Sequence, residues 1–82
     1  MSRREDLKNW VYEAVRANGG EASVLQVAKH IWDNHGQQLT GSGDLFYTWQ
    51  YDMRWAAQTL RRERRLGLSP NRKWVIIGRG AA

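Results

Sequence analysis

Side chains that can recognise a polyanion lie on one arc of a segment in the C-terminal half of the chain. A helical wheel at about 100° per residue gives this segment one arc without a carboxylate, formed by Tyr47, Gln50, Tyr51, Arg54, Gln58, Arg61, Arg62 and Arg65. Arginine can donate two hydrogen bonds to guanine, and glutamine can pair with adenine. Arginines further along such a helix reach phosphates. The arc therefore predicts contact with double-stranded DNA.

The position of each side chain along the segment suggests its role. In helix-turn-helix proteins the first part of the recognition helix meets the bases. We therefore expect Gln50, Tyr51 and Arg54 at base edges, with Tyr47 and Gln58 as further candidates. The later arginines of the arc are assigned to phosphates. These are Arg61, Arg62 and Arg65.

The net charge of +5 is concentrated in the last third of the sequence. Residues 1–53 carry five basic and seven acidic side chains, whereas residues 54–82 carry eight basic side chains and Glu63 alone as an acid. A basic face of this kind suits nucleic acid or an acidic membrane surface, although a solvated helix face has the same composition. A second basic group, Asn71-Arg72-Lys73, favours DNA because it belongs to a different predicted element.

Two helices are predicted before the arginine-rich segment. Residues 2–5 fit a capping box, an apolar stripe from Leu7 to Val15 follows, and Gly19-Gly20 ends the first helix. A short extended link near Glu21–Ser23 leads to a second capping box at 23–26. The second helix is expected to span about 12 residues and to end at Asn34-His35-Gly36. The polar, glycine-rich residues 36–43 are predicted to form a loop.

The third helix is expected to run from about Leu45 or Tyr47 to Arg65, with Asp44 or Thr48 as its cap. Its apolar arc predicts packing on the first two helices and consists of Trp49, Met53, Ala56, Ala57 and Leu60. Two apolar runs, 66–68 and 74–77, enclose Ser69–Lys73 and predict a β-hairpin. Within that turn, proline fixes φ at the second position and Asn71 tolerates a left-handed one.

This order of elements predicts an α+β fold of the winged helix type in one domain, residues 1–82, with its core in 3–77 and a frayed tail at 78–82. The third-helix segment WQYDMRWAA (49–57) and the strand RKWVI (72–76) resemble winged helix modules that precede the nuclease domain of Mrr-type restriction endonucleases. The resemblance covers residues 45–77 and implies DNA binding in a bacterial setting. No nuclease segment follows the wing in this sequence, so the resemblance implies no nuclease activity.

Catalytic and metal chemistry are not expected. The sequence has no cysteine, which excludes disulfides and cysteine-based zinc sites. His30 and His35 lie about 140° apart on a helix, so they cannot easily share a metal ion, and His35 is expected to be a capping or edge residue. We expect no enzyme activity, no cofactor and no small-molecule substrate.

The remaining expectations concern partners. No run of the roughly 20 apolar residues that a membrane span needs is present, and we expect a cytoplasmic protein that is nucleoid-associated when bound to DNA. Trp10, Trp32 and Trp74 are predicted core residues, whereas Trp55 is expected to pack on the hairpin or the connector loop, or else to contact a partner. The sequence leaves open whether the protein forms a homodimer. A winged helix used for protein interaction or RNA binding is the alternative function.

Overall fold

Three helices and a three-stranded antiparallel sheet form the chain in the computed structural model, which describes residues 4–77. In chain order the elements are α1 (Asp6–Ala17), β1 (Glu21–Ala22), α2 (Val24–Thr40), α3 (Leu45–Arg62), β2 (Leu66–Leu68) and β3 (Trp74–Ile76). The α+β class and the predicted order of elements are confirmed. The predicted tail at 78–82 and the Ser2 part of the first capping box lie outside the described residues. The Glu5 part of that box is wrong, because Glu5 is itself the N-cap of α1 and its side chain makes no capping hydrogen bond. Among residues 4–77, no helix is both long enough and apolar enough to cross a membrane.

The sheet places β3 at its centre, between β1 and β2. Trp74 of β3 is paired with Ala22 on one side and with Leu68 on the other, and both pairings are antiparallel. The predicted hairpin is therefore confirmed, and the extended link predicted near Glu21–Ser23 forms the third strand of the sheet. Because β1 lies between α1 and α2 in the chain, its hydrogen-bonded pairing with β3 attaches the C-terminal hairpin to the helical part of the fold.

Two predicted helix boundaries are confirmed by their hydrogen bonds. At the end of α1, Gly19 and Gly20 have φ values of +87° and +94°. Gly19 N–H donates to Arg16 O at 3.1 Å, and Gly20 N–H donates to Val15 O at 2.9 Å, which is a Schellman motif. At the start of α2, the Ser23 N–H donates to Gln26 Oε1 at 2.8 Å and the Gln26 N–H donates to Ser23 Oγ at 3.1 Å. These two bonds form the predicted capping box.

The core is enclosed by one face of each helix and the inner face of the sheet. The predicted apolar arc of α3 is buried in full. It packs with buried side chains from the other elements, namely Leu7, Val11, Ala14, Val15, Ala22, Val27, Ile31, Leu39, Leu66 and Trp74. Trp74 is a core residue as predicted, and Trp10 is half-buried against the core. The prediction for Trp32 is wrong, because its side chain is 45% exposed.

The predicted end of α2 is wrong, because the helix continues through Gly36 to Thr40. Leu39 is fully buried and extends the apolar stripe that Val27 and Ile31 begin. Burying a leucine side chain contributes about 1.5–3 kcal/mol, whereas a glycine inside a helix costs about 1 kcal/mol relative to alanine. The burial of Leu39 therefore outweighs the cost of Gly36, and the connection to α3 shrinks to residues 41–44.

The predicted start of α3 at Leu45 is confirmed, whereas its predicted end needs correction. The helix ends at Arg62 rather than Arg65, and the turn after it holds Arg64 at a φ of +61°. Asp44 occupies the N-cap position without a capping hydrogen bond from its side chain. Thr48 lies inside the helix, where its hydroxyl donates to Asp52 Oδ2 at 2.9 Å.

Candidate nucleic-acid interface

The predicted polar arc of α3 is exposed along its whole length. Tyr47 and Tyr51 are 83% and 75% exposed, and the other members within the helix are exposed as well: Gln50, Arg54, Gln58, Arg61 and Arg62. We call these seven side chains the α3 outer face. The structure thus brings them together as predicted, because the opposite arc of the same helix is anchored in the core.

Asp52, the acidic residue of α3, does not lie on the outer face. Asp52 is half-buried, and its carboxylate accepts the Thr48 hydroxyl and lies 3.7 Å from Arg4 Nε. Glu63, just beyond the helix, accepts a hydrogen bond of 2.6 Å from Lys8 Nζ. That hydrogen bond is the largest cause of a lowered Glu63 pKa, and the charges of Lys8, Arg65 and Arg62 act in the same direction. Both carboxylates are therefore paired with cations, and the outer face carries positive charge alone.

Arg65 does not belong to the α3 outer face, contrary to the prediction. It follows the turn that ends the helix, and its guanidinium lies 4.6 Å above the ring of Tyr12 in α1. Arg65 Nη1 also lies 4.0 Å from Glu63 Oε1. These contacts make Arg65 a link between α1 and the start of the hairpin.

The hairpin turn presents the predicted basic group, Asn71-Arg72-Lys73. Asn71 and Arg72 are exposed and Lys73 is half-buried. The Arg72 N–H donates to Ser69 O at 2.9 Å and the Ser69 N–H donates to Lys73 O at 2.8 Å, which closes a tight loop. The left-handed residue is Arg72, with a φ of +62°, and not Asn71 as predicted.

A groove joins α3 to the hairpin. It has a volume of about 570 Å³ and is lined by Gln58, Arg61, Arg62, Leu66, Gly67 and Leu68. The C-terminal part of the α3 outer face and strand β2 are therefore the two walls of one concave, basic surface. A phosphodiester backbone is a polyanion that such a surface can follow.

An apolar groove between α2 and the first half of α3 was not predicted. It has a volume of about 480 Å³, and its apolar lining consists of Leu25, Ala28, Trp32, Phe46 and Trp49. Leu25 is 76% exposed, and the Trp32 and Trp49 rings are stacked with centroids 6.1 Å apart. The spacing of Leu25 and Trp32, seven residues apart, was the available signal, because it places them together on one side of α2.

His35 connects two helices rather than capping one, so the expectation of a capping or edge residue is wrong. Its ring is stacked on Trp10 with centroids 4.1 Å apart. Its Nε2 lies 3.3 Å from Glu13 Oε1 in α1, and its Nδ1 lies 3.3 Å from Gln38 Oε1. No group of three or more potential metal ligands occurs among residues 4–77.

Trp55 packs against the core on the side of α3 that faces the start of α1. Its indole is half-buried, and the Arg4 guanidinium lies 4.0 Å from the ring centroid. This is a cation–π contact, and Trp55 also lines one hollow together with Trp74 of the hairpin. Trp55 thus helps to fix the angle of α3 against α1.

Comparisons with other proteins do not identify a relative. No family model, curated protein or solved structure matches the chain. The functional inference therefore depends on the chain's own surface: a basic helix face with two phenols, a basic hairpin tip, and the groove between α3 and strand β2.

Proposed function

We propose that this protein is a winged helix domain that binds double-stranded DNA and does not catalyse a reaction. The α3 outer face enters the major groove, and the hairpin acts as the wing on the flanking backbone. The observation that carries the proposal is the exposed, acid-free face of α3, whose last arginines share a groove with strand β2 of a hairpin that bears a second basic group at its turn. A role as a transcription regulator or as an accessory module of a DNA-processing system fits this binding activity.

The two halves of the α3 outer face suit different parts of DNA. Gln50 and Arg54 lie in the half that would meet base edges, where their donors can distinguish base pairs. Arg61 and Arg62 lie beside the hairpin groove, where they suit phosphates. Arg72 and Lys73 extend the phosphate-binding surface on the wing. Arg65 is left out of the interface because its guanidinium is held over Tyr12.

The backbone of Arg72 supports a functional role for the wing tip. A side-chain-bearing residue in the left-handed conformation costs roughly 1–2 kcal/mol, and glycine avoids that cost. Arginine nevertheless occupies this position, at a φ of +62°. Strained positions of this kind concentrate at functional sites. This turn leaves the side chain of Arg72 exposed at the tip of the hairpin, where its guanidinium can reach a phosphate.

Salt dependence of duplex binding tests the proposal. The affinity for a short fluorescein-labelled duplex is measured by anisotropy at several salt concentrations. With about four phosphates contacted, by Arg61, Arg62, Arg72 and Lys73, the logarithm of the affinity should fall with the logarithm of salt at a slope of about −3 to −4.

A matched pair of variants localises the effect. Arg61→Gln should reduce the magnitude of the slope by about one, whereas Arg16→Gln should leave it unchanged. Arg16 is an exposed arginine in the last turn of α1, so both variants lose one surface charge. Affinity without salt dependence, or equal effects of the two variants, would refute binding through α3 and the wing.

The apolar groove between α2 and α3 favours a second candidate function, protein interaction. Exposed apolar grooves commonly mark protein-binding sites, and this groove contains Leu25 and Trp32 on one wall. A partner bound there should be released by Leu25→Asp but hardly by salt. The two functions are thus separated by salt and by which variant abolishes binding.

A further inference from the structure

The α3 outer face contains two phenols that are largely exposed. Tyr47 and Tyr51 are 83% and 75% exposed, although a tyrosine ring is largely apolar. They are four residues apart, so their attachment points are separated by about 6 Å along the helix. Neither ring belongs to the buried core.

A paired duplex offers these rings little, because its base faces are covered by neighbouring bases. A phenol in the major groove can touch only base edges and thymine methyl groups. Bases in a stack are about 3.4 Å apart, so a base between two rings separates them by about 6.8 Å, which is close to the separation of the two attachment points. Stacking of a base on an aromatic side chain is favourable for any base, since every base has a π-face.

The surroundings of the two rings suit an unpaired base. The Tyr47 ring makes an edge contact with Phe46, with centroids 5.1 Å apart, and Phe46 in turn contacts Trp32 at 6.5 Å. A hollow of about 380 Å³ lies beside Tyr51, and its lining includes Arg54 and Gln58. These two side chains supply hydrogen-bond donors, and Gln58 also an acceptor, for the edge of a base.

We propose that Tyr47 and Tyr51 hold one unpaired DNA base, with Arg54 and Gln58 at its hydrogen-bonding edge. This inference rests on the proposed DNA-binding function and adds a substrate preference to it: the protein favours duplexes that contain a bulged or mismatched base. An unpaired base is bound without the loss of pairing that a base in an intact duplex must undergo before it leaves the stack.

Two duplexes that differ only in one bulged nucleotide test this preference. The bulged nucleotide is 2-aminopurine, whose fluorescence is quenched by stacking, and the control duplex contains 2-aminopurine in a pair. The wild-type protein should bind the bulged duplex about tenfold more tightly or better and should quench its fluorescence. Affinities are read from a fluorescein at the far end of each duplex.

Ring-removing and ring-keeping variants assign the effect to the two phenols. Y47A/Y51A should lose both the preference and the quenching, so that its affinities for the bulged and the paired duplex become equal within about threefold. Y47F/Y51F should keep both effects. Leu25→Ala is the matched control, because it removes a side chain of similar exposure from α2. Circular dichroism verifies that each variant is folded.

The outcomes separate this inference from the proposed function. Equal wild-type affinity for the two duplexes overturns the base site but leaves the proposed duplex binding intact. A preference for the bulged duplex that survives in Y47A/Y51A also overturns the base site and leaves duplex binding intact. Failure to bind either duplex overturns both. Tighter binding of the corresponding bulged RNA than of the bulged DNA overturns the assignment to DNA.

Discussion

At the scale of single residues, the charged side chains around α3 divide into two groups. Asp52 and Glu63 are paired with Arg4 and Lys8, which come from the N-terminal part of the chain. Arg54 is exposed on the α3 outer face, away from both carboxylates. The first group serves the packing of α1 against α3, and the second is available for a ligand. Substitutions in the two groups should therefore have separable effects.

Arg54→Ala should weaken specific DNA binding by about 1–3 kcal/mol and relax the preference at one base pair, because in the proposed complex Arg54 donates two hydrogen bonds to a guanine. The binding site is first selected from random duplexes, and affinities are then measured for single-base variants of it. Arg54→Lys is the control, since lysine keeps the charge but cannot form the bidentate hydrogen bonds of a guanidinium. An equal loss for all sequences would place Arg54 on the backbone instead.

Glu63 should make stability depend on pH in the acid range. Its pKa in the folded protein is lowered from 4.5, chiefly by the hydrogen bond from Lys8. A lowered carboxylate pKa stabilises the fold fully above the unfolded value, and this stabilisation is lost as the pH falls through the folded value. Glu63→Gln should therefore reduce the urea midpoint of unfolding at pH 7. At a pH well below the pKa of Glu63 in the folded protein, the same substitution should leave the midpoint unchanged.

Lys8→Met should show the same pH dependence as Glu63→Gln, because it removes the main cause of the shift. A destabilisation by either variant that is equal at neutral and at strongly acidic pH would exclude the ion pair as its origin.

At the scale of elements, two turns hold arginines in a conformation that favours glycine. Arg64 ends α3 at a φ of +61°, and its N–H donates to Arg61 O while the Arg65 N–H donates to Leu60 O. This is the same Schellman pattern that ends α1, where Gly19 occupies the left-handed position. Arg72 occupies the corresponding strained position in the hairpin turn. The two arginines differ in location, because only Arg72 lies in the proposed interface.

Arg64→Gly should be more stable than Arg64→Ala by about 1 kcal/mol. Both variants remove the same charge, but only glycine relieves the unfavourable contact between Cβ and the backbone. The free energies of unfolding are obtained from urea titrations monitored by tryptophan fluorescence. Equal stability of the two variants would contradict the left-handed end of α3.

Arg72→Gly should raise stability and lower DNA affinity at the same time. Relief of the left-handed strain stabilises the turn by up to about 1 kcal/mol, whereas loss of a phosphate contact reduces the salt slope by about one. Arg72→Ala should show the binding defect without the gain in stability. An unchanged DNA affinity in both variants would remove the wing tip from the interface.

At the scale of the whole molecule, the central strand holds the helices and the hairpin together. Trp74 of β3 pairs with both outer strands and is only 7% exposed. Leu66, on the neighbouring strand, is buried in the same core as the helices. The hairpin is therefore part of the cooperative fold as well as a carrier of the basic tip.

Trp74→Ala should cost about 3–5 kcal/mol, the usual range for removing a large buried aromatic side chain. Small domains have total stabilities of about 5–15 kcal/mol, so a large part of the stability is lost. Thermal unfolding by circular dichroism and by fluorescence should still coincide in one transition. A hairpin that melts in a separate step, with the helices retained, would contradict this account.

The sequence by itself determined the features that depend on local periodicity and local hydrogen bonds. The capping box at Ser23 and Gln26, the glycine end of α1 and the two arcs of α3 all follow from spacings within a few residues. The exposure of the predicted site residues in α3 was predictable for the same reason. What they bind stays a prediction.

Only the tertiary structure decided where α2 and α3 end and what lies beside the outer face. Gly36 stays helical because Leu39 reaches the core and the Trp32 ring packs over the glycine, within about 3.4 Å of where a Cβ would lie. Arg64 takes a left-handed turn without glycine, and Arg65 then reaches Tyr12. In each case contacts between residues distant in sequence outweigh a local preference of about 1–2 kcal/mol, and no local pattern records such contacts.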